Sequence, residues 1–352
     1  MHSILKILLA IVIFGVLIFI HEFGHFMVAK LCGIKVNKFA LGMGPCIFRK
    51  TKGETEYSVR ILPIGGFCSM EGEDEESDNE GAFGSKPVWK RILVVAAGAF
   101  MNILLGFILV VVTTCMLTRI PVMKISGFDT TGENEGKIVA SSYETGLCVD
   151  DEILEVDGMR IFTDSDLLYK LSSTDKDTLD LIVKRDGKKV ELKNVAFLNK
   201  ETKDIVDFSL YGMDKNPISV LSYSFRETAS TARLIWISVV DLISGEYGFH
   251  DLSGPVGLVN AIGDAAETGR NIKENIYSVL SLTIFITINL GIFNLLPIPG
   301  LDGGRLIFLF IEAIRRKPVK PEHEGVIHLI GMALLMLLII AVTFGDVFKL
   351  LG

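Results

Sequence analysis

The sequence predicts an α-helical polytopic membrane protein with about four transmembrane helices, a membrane-associated β-loop and one inserted extracytoplasmic α/β domain. Hydrophobic residues make up 49% of the 352 positions. The mean hydropathy of +0.46 is high for a soluble globular protein. Four charge-poor apolar runs are each long enough to cross about 30 Å of hydrocarbon at about 1.5 Å per residue. The runs cover Ile4–Ile20, Ile92–Leu117, a stretch from near Val279 through Leu296, and Val326–Phe344.

Two features of the runs decide how the chain crosses the membrane. The first run could be a signal peptide, but no small-x-small cleavage site follows it, so we expect a retained helix. Basic residues cluster in the segment after the first run and in the link between the third and fourth. By the positive-inside rule both loops face the cytoplasm, which leaves both termini and residues 119–275 outside. These basic residues are Lys35, Lys38, Arg49, Lys50, Lys52, Arg60, Lys86, Lys90, Arg315, Arg316, Lys317 and Lys320.

Charge and cysteine content exclude several kinds of partner and site. A formal net charge of −7 implies no large basic surface, so nucleic acid is not an expected partner. The five cysteines contain no C-x-x-C pair and indicate free thiols rather than a disulfide framework or a thiolate zinc site. The acidic stretch Glu71–Glu80 has the composition of a solvated loop, although a cation site is the alternative.

Residues 127–200 have the pattern of a small soluble domain. Lys137–Ser141 and Glu152–Val156 are strand candidates, and Asp164–Leu171 is predicted to form a short helix. Alternating apolar residues on both sides of Asp186-Gly187 predict a β-hairpin. Further along, Leu234–Ile243 is apolar but too short to span a bilayer, which favours an interfacial helix.

A metal-binding pattern follows the first apolar run directly, in His21-Glu22-Phe23-Gly24-His25. On a helix, positions i and i+4 lie on one face, so both imidazoles can reach a single ion, and Glu22 is placed to take a proton from a metal-activated water. The alternative is a helix that merely ends at the interface, with these side chains in headgroup water. Polar groups buried at a span end need a compensating partner, which a divalent cation supplies.

Asp302 is the best candidate for a third ligand, because catalytic zinc usually takes three protein ligands. It follows the third apolar run in the sequence Asn294-Leu-Leu-Pro-Ile-Pro-Gly-Leu-Asp302-Gly-Gly304. The prolines and glycines should break the helix, and broken helices are tolerated in membranes where they line a cavity. The alternative makes Asp302 a helix N-cap at the end of the span. The remaining histidines lie outside clear intramembrane contexts; they are His2, His250, His323 and His328.

Together, HEFGH and NLLPIPGLDGG resemble the site-2 protease family of intramembrane zinc metalloproteases, and look closest to the bacterial regulator-of-sigma-E protease type. The resemblance covers nearly the full chain, and alanine replaces the family's usual proline at Ala99. It implies one extracytoplasmic PDZ domain, where some relatives carry two. Further matching segments are Glu56–Glu73, Phe83–Asn102, Gly127–Leu198 and Leu252–Val259.

The resemblance implies a domain order and a reaction. The expected order is two transmembrane helices with the cytoplasmic β-loop (1–118), a PDZ-like domain (119–205), a linker with an interfacial helix (206–275) and two more transmembrane helices (276–352). The expected reaction is zinc-assisted peptide hydrolysis, in which His21, His25 and Asp302 hold Zn²⁺ and Glu22 acts as general base. Asn294 would orient the substrate backbone or the oxyanion, or else satisfy freed backbone groups. Strand addition would involve Ser58, Val59, Arg60, Ile61 and Leu62.

The resemblance also implies a substrate and a location. The expected substrate is a single-span membrane protein, such as an anti-sigma factor, that another protease has already cut. The PDZ-like domain would bind a new peptide C-terminus or act as a size filter. The protein would lie in the inner or plasma membrane with its active site toward the cytoplasm. Two alternatives remain: a non-catalytic peptide-binding scaffold, which has no need of Glu22, and a transporter, which predicts paired internal repeats that the sequence lacks.

Overall fold

The structure, a computed structural model, describes residues 3–73, 77–130, 138–174, 176–197, 206–245, 253–319 and 321–351. The chain forms two compact units, one made of Met1–Leu109 with Ser238–Gly352 and the other of Val110–Ile237. The helices are α1 (Ser3–Leu31), α2 (Val88–Met116), α3 (Ser141–Glu144), α4 (Asp164–Ser172), α5 (Pro217–Ser244), α6 (Pro255–Ala265), α7 (Ile272–Leu295), α8 (Asp302–Arg315) and α9 (Pro321–Leu351). The strands are β1 (Val36–Lys52), β2 (Thr55–Met70), β3 (Ile120–Phe128), β4 (Glu152–Val156), β5 (Met159–Arg160), β6 (Thr178–Arg185), β7 (Lys188–Ala196) and β8 (Phe208–Met213).

Among the described residues, four helices are long and apolar enough to cross a membrane, as the sequence predicts. They cover Ile4–Leu31, Val88–Met116, Ile272–Leu295 and His323–Lys349. The third helix begins earlier than the expected start near Val279. The reason is a polar first turn: the Asn271 side chain caps the helix by accepting the Glu274 N–H at 3.0 Å. The link to the last span contains the additional helix α8.

The predicted β-loop is the antiparallel hairpin of β1 and β2, and it curls back on itself. Residues Glu56–Val59 pair with Lys38–Leu41 along one edge and with Phe48–Thr51 along the other. Gly66–Met70 pairs with the other edge of the first part of β1. The hairpin therefore has two outer segments, at the end of β1 and at the end of β2, while Ser58 and Val59 lie in its middle.

The second unit contains a sheet in the order β7-β6-β4-β3-β8, with β5 paired to β4. The hairpin around Asp186-Gly187 is confirmed, as are the strand Glu152–Val156 and the helix from Asp164. Alternating residues of β6 fill the core, because Leu179, Leu181 and Val183 are all buried. The sheet extends beyond the expected domain end at 205, since β8 pairs with β3.

The expected strand at Lys137–Ser141 is wrong for the residues that are described. Lys137 lies outside them, and Ile138 forms only a single bridge with Thr130. The chain turns into α3 at Ser141 instead. Asp207 explains this turn, because its carboxylate accepts both the backbone N–H of Ser142 at 2.9 Å and the Ser142 hydroxyl at 2.6 Å.

The short helix expected at Leu234–Ile243 is the end of a much longer one, α5, which has 28 residues. The sequence pattern does not reveal its N-terminal half, because the polar residues there face inward. The buried carboxylate of Asp166 binds Arg233 at 2.7 Å, and Glu227 accepts the Ser165 hydroxyl at 2.6 Å. Burial raises the pKa of Glu227 to about 7. The opposite face of this half exposes apolar side chains such as Phe225.

Candidate metal centre

Three potential ligand atoms from distant parts of the sequence converge in the first unit. His21 and His25 lie on one face of α1, with their Nε2 atoms 3.2 Å apart. The Oδ2 atom of Asp302, the first residue of α8, lies 3.2 Å from His21 Nε2 and 3.3 Å from His25 Nε2. These residues form the one group of at least three metal-ligating side chains found in the described part of the chain.

The spacing of the three atoms matches that of a tetrahedral zinc site. Zinc binds imidazole nitrogen and carboxylate oxygen at roughly 2.0–2.2 Å, which puts neighbouring ligand atoms about 3.3–3.5 Å apart. The observed separations of 3.2, 3.2 and 3.3 Å are close to that value. Three protein ligands leave a fourth position open for a water or a substrate, as catalytic zinc sites require.

Hydrogen bonding on the far side of each ring indicates which atoms face the centre. His25 Nδ1 lies 2.8 Å from the carbonyl oxygen of Val94, which can only accept, so Nδ1 carries the proton and Nε2 is free to bind an ion. The Asn102 side-chain amide lies 3.2 Å from His21 Nδ1 through its Nδ2 atom. An amide can present either end, and with Oδ1 toward His21 the ring donates through Nδ1 and exposes Nε2 to the centre as well.

With the Asn102 amide in that orientation, which also gives its buried Oδ1 a donor that it otherwise lacks among the described residues, three electron-rich atoms face one another. Two imidazole lone pairs and a carboxylate oxygen repel one another at such distances unless a cation lies between them. Asp302 Oδ2 is buried and has no hydrogen-bond partner among the described residues, and the Asp302 side chain is only 24% exposed. The donor set is therefore suited to a divalent ion such as zinc.

Glycines allow the helices to cross closely enough to build the centre. A Cβ at Gly24 of α1 would lie 2.5 Å from the Ala97 carbonyl oxygen, so α1 and α2 meet backbone to backbone. A Cβ at Gly98 would lie 2.3 Å from His25 Nε2 and 2.7 Å from His21 Cε1. The α2 backbone therefore forms one wall of the site, and a side chain at Gly98 would push into the ligand atoms.

The turn before α8 brings Asp302 to the histidines. It is tightened by hydrogen bonds from the Leu301 N–H to the Ile298 carbonyl at 3.2 Å and from the Gly304 N–H to the Leu301 carbonyl at 3.1 Å. A Cβ at Gly303 would lie 2.0 Å from the Leu296 carbonyl oxygen, so only glycine fits there. Leu301 takes the N-cap position, and the alternative of Asp302 as N-cap is wrong.

The end of β2 covers Glu22. The backbone N–H of Cys68 donates to the Glu22 carboxylate, which also interacts electrostatically with His21, His25 and Asp302. A Cβ at Gly66 would lie 3.2 Å from Glu22 Cγ, so the strand passes directly over this side chain. Glu22 is thus oriented beside the three ligand atoms without contributing one of them.

Known proteins are similar to this chain over almost its whole length. The profile of peptidase family M50 covers residues 9–338. The chain belongs to peptidase family M50. The M50 family is the site-2 protease family that the motifs resemble. A Fusobacterium nucleatum protein named as a zinc metalloprotease is 36% identical over 97% of this chain and 98% of its own length. The regulator of sigma-W protease RasP of Bacillus subtilis is 31% identical over 97% of each chain, in an alignment of 426 positions.

Membership of the M50 family, together with these relatives, identifies the protein as a zinc-dependent, membrane-embedded metalloprotease. The apolar helices make it a multi-pass membrane protein that carries a sheet domain. The longer alignment with RasP exceeds the 352 residues of this chain, so RasP contains additional residues.

The remaining residues predicted for this M50 peptidase are those expected to bind the substrate. Asn294 is half-buried in the last turn of α7, and it makes no hydrogen bond to the three ligand side chains in the described structure. In β2, Ser58 and Val59 are paired on both edges. A substrate strand cannot add at these two residues unless the hairpin opens, while strand addition at Arg60, Ile61 and Leu62 stays a prediction.

Asn102 belongs to none of the predicted site residues, but its side chain lies against His21. The side chain is completely buried in α2, and the Thr287 hydroxyl donates to its backbone carbonyl at 3.0 Å. A signal was present, because Asn102 is a strongly polar residue within a charge-free apolar run, and such residues are often functional.

Replacing Asn102 with leucine should weaken zinc binding by about 10- to 100-fold, because His21 loses the partner that fixes its tautomer and ring orientation. Competition with a chromophoric chelator on the detergent-purified protein measures the affinity. Asn102→Asp keeps an acceptor oxygen and should stay close to wild type. Equal affinities for the leucine variant and the wild type would show that Asn102 does not orient the ligand.

Proposed function

We propose that this protein cuts a peptide bond of a single-span membrane protein within or beside the bilayer, with His21, His25 and Asp302 as zinc ligands and Glu22 as general base. The observation that carries the proposal is the convergence of three ligand atoms to within 3.3 Å of one another in the first unit. The hydrogen bonds behind both imidazoles support the same assignment, as does the Asp302 oxygen, which has no hydrogen-bond partner in the described part of the chain.

The protein groups divide the chemistry between them. Bound zinc supplies Lewis acidity, which acidifies a water and polarises the scissile carbonyl. Glu22 takes a proton from the attacking water on its carboxylate and passes it to the leaving amine. The Cys68 N–H holds that carboxylate in place, so the base does not need to reorient between the two transfers. The α2 wall at Gly98 restricts water around the rings.

The substrate has to be extended where it is cut, because a helix hides its own amide bonds. We propose that it aligns along the hairpin by strand addition, and that the relevant edge is Gly66–Met70 rather than Ser58–Leu62. Two observations support this segment. Its described pairing with β1 uses the opposite edge, and the segment passes over Glu22. Asn294 remains a proposed contact for the substrate backbone.

Sidedness and partners follow from charge and from the relatives. The basic residues of the hairpin and of the link after α8 support a cytoplasmic location for the centre, with the second unit outside. The B. subtilis relative is a regulator of sigma-W protease, which supports anti-sigma factors as substrates. We propose that another protease trims these first, and that the membrane is the inner or plasma membrane.

The second unit is proposed to be an extracytoplasmic PDZ-like domain. Its antiparallel sheet with the short helices α3 and α4 supports this assignment. Such a domain would bind the new C-terminus of a trimmed substrate or would exclude substrates that still carry a large outer domain. The proposed boundaries are those of the sequence prediction, extended to include β8.

Replacing Asp302 with asparagine should remove most of the zinc from the purified protein, because a neutral amide is a much poorer zinc ligand than a carboxylate. Elemental analysis measures the metal content. Asp214→Asn is the matched control, since Asp214 is an acid of the second unit with an 87% exposed side chain, and it should leave the zinc unchanged. Full zinc content in Asp302→Asn would remove this residue from the ligand set.

A further inference from the structure

The turn that carries Asp302 is seated on the last membrane span. The backbone N–H of Gly300 donates to His328 Nδ1 on α9 at 2.9 Å. One turn further along α9, a Cβ at Gly331 would lie 2.1 Å from the Pro299 carbonyl oxygen. Gly300 itself has a φ of +96°, and a Cβ there would lie 3.0 Å from the Met332 nitrogen. The turn and α9 thus fit together without room for side chains.

This contact differs in kind from the other hydrogen bonds of the turn. The bonds between Ile298, Leu301 and Gly304 are local, so they fix the shape of the turn but not where it lies. On the next turn of α8, Arg305 pairs with Glu73 and Glu324, which anchors the helix after Asp302. The hydrogen bond to His328 anchors the chain before it.

The chemistry of His328 suits this task. A backbone N–H can only donate, so Nδ1 of His328 must carry a lone pair and Nε2 must carry the proton of the neutral ring. The Nε2 atom lies 3.9 Å from Glu324 Oε1, and the ring packs against Phe308 with 5.8 Å between centroids. The side chain is only 17% exposed, and His328 is not a member of the ligand group.

We propose that His328 is a positioning residue of the zinc site: by accepting the Gly300 N–H, it sets the Asp302 carboxylate at ligand distance from His21 and His25. The inference rests on the proposed role of Asp302 as a ligand. Groups that orient a metal ligand from outside the coordination sphere typically change metal affinity by about 10- to 100-fold when they are removed.

The test is the zinc affinity of the full-length protein in detergent, measured by competition with a chelator. His328→Leu removes the acceptor at similar volume and should weaken zinc binding about 10- to 100-fold. His328→Asn places an amide oxygen where Nδ1 was, and should restore affinity to within a few-fold of wild type. His323→Leu is the matched control, because His323 is an exposed histidine on the same helix, and it should bind zinc like the wild type. Thermal unfolding of the zinc-free proteins checks that all variants fold.

Three results would count against the proposal. Wild-type affinity in His328→Leu would overturn it outright. Equal losses of zinc affinity in the leucine and asparagine variants would show that packing of the ring, and not its hydrogen bond, is what matters. That result would also overturn the proposal. Asp302→Asn, measured alongside, distinguishes a failure of the positioning role of His328 from a failure of the proposed metal site. If Asp302→Asn keeps its zinc, the assignment of Asp302 as a ligand is wrong. If it loses zinc while His328→Leu does not, only the positioning role fails.

Discussion

Glu22→Gln is expected to bind zinc like the wild type and to cleave a single-span model substrate about 10²- to 10⁴-fold more slowly, the range typical of a lost general acid–base group. Glutamine keeps the shape of the side chain but cannot take the proton from water. The ligand atoms come from other residues, so the metal should stay. Cleavage is followed with the protein and substrate reconstituted in liposomes, and zinc by elemental analysis.

The control for this experiment is Glu54→Gln. Glu54 is a half-exposed acid in the turn of the β1–β2 hairpin, where it pairs with Lys30 at 2.8 Å. Its replacement should leave both zinc content and cleavage rate unchanged. Cleavage by Glu22→Gln at the wild-type rate would exclude Glu22 as the base. A variant that loses zinc as well as activity would point to a structural role instead.

Gly98→Ala should weaken zinc binding and cleavage together, although alanine is the better helix former. The new methyl group would lie 2.3 Å from His25 Nε2, and α2 has little room to move away from α1 because a Cβ at Gly291 of α7 would lie only 2.9 Å from its Ala99 carbonyl oxygen. Over-packing of this kind typically costs about 1–3 kcal/mol. If the rings absorb that distortion, zinc affinity falls roughly 5- to 150-fold. Chelator competition measures the change.

Gly325→Ala and Gly345→Ala are the matched controls for Gly98→Ala. Both are helical glycines of α9 at which a Cβ would meet no described residue within 4 Å. They should leave zinc affinity unchanged and stabilise the protein slightly, as alanine usually does at unstrained helix positions. If Gly98→Ala bound zinc as tightly as these two variants, the α2 backbone would not lie as close to the histidine rings as the structure indicates.

Local patterns made much of the fold predictable. Apolar runs fixed the four spans because their signal is composition summed over about twenty residues. The Asp186-Gly187 turn and its alternating flanks gave the β6–β7 hairpin. The full length of α5 was not predictable in this way, since its buried polar face is satisfied by Asp166 and Ser165, which are distant in sequence. The capture of Ser142 by Asp207, which replaced an expected strand with α3, is equally non-local.

The same division applies to the metal centre. The spacing of His21 and His25 needs only a helix to place both rings on one face. Asp302 could be selected because prolines and glycines mark a break in an apolar segment. The roles of Asn102 and His328 depend on how separate helices pack, which no spacing within the sequence encodes. The doubly paired middle of the hairpin is likewise visible only once β1 curls around Ser58 and Val59.

The wide separation of His21 and Asp302 in the sequence has a consequence for the synthesis of the protein. During synthesis the first span emerges with both imidazoles and Glu22, but the Asp302 carboxylate, the third proposed ligand, is made only after two further spans. With this proposed ligand set, a nascent chain still lacking α8 carries an incomplete metal centre. Proteolytic activity is then expected only once three spans have been synthesised, and chains truncated before Asp302 should be inactive.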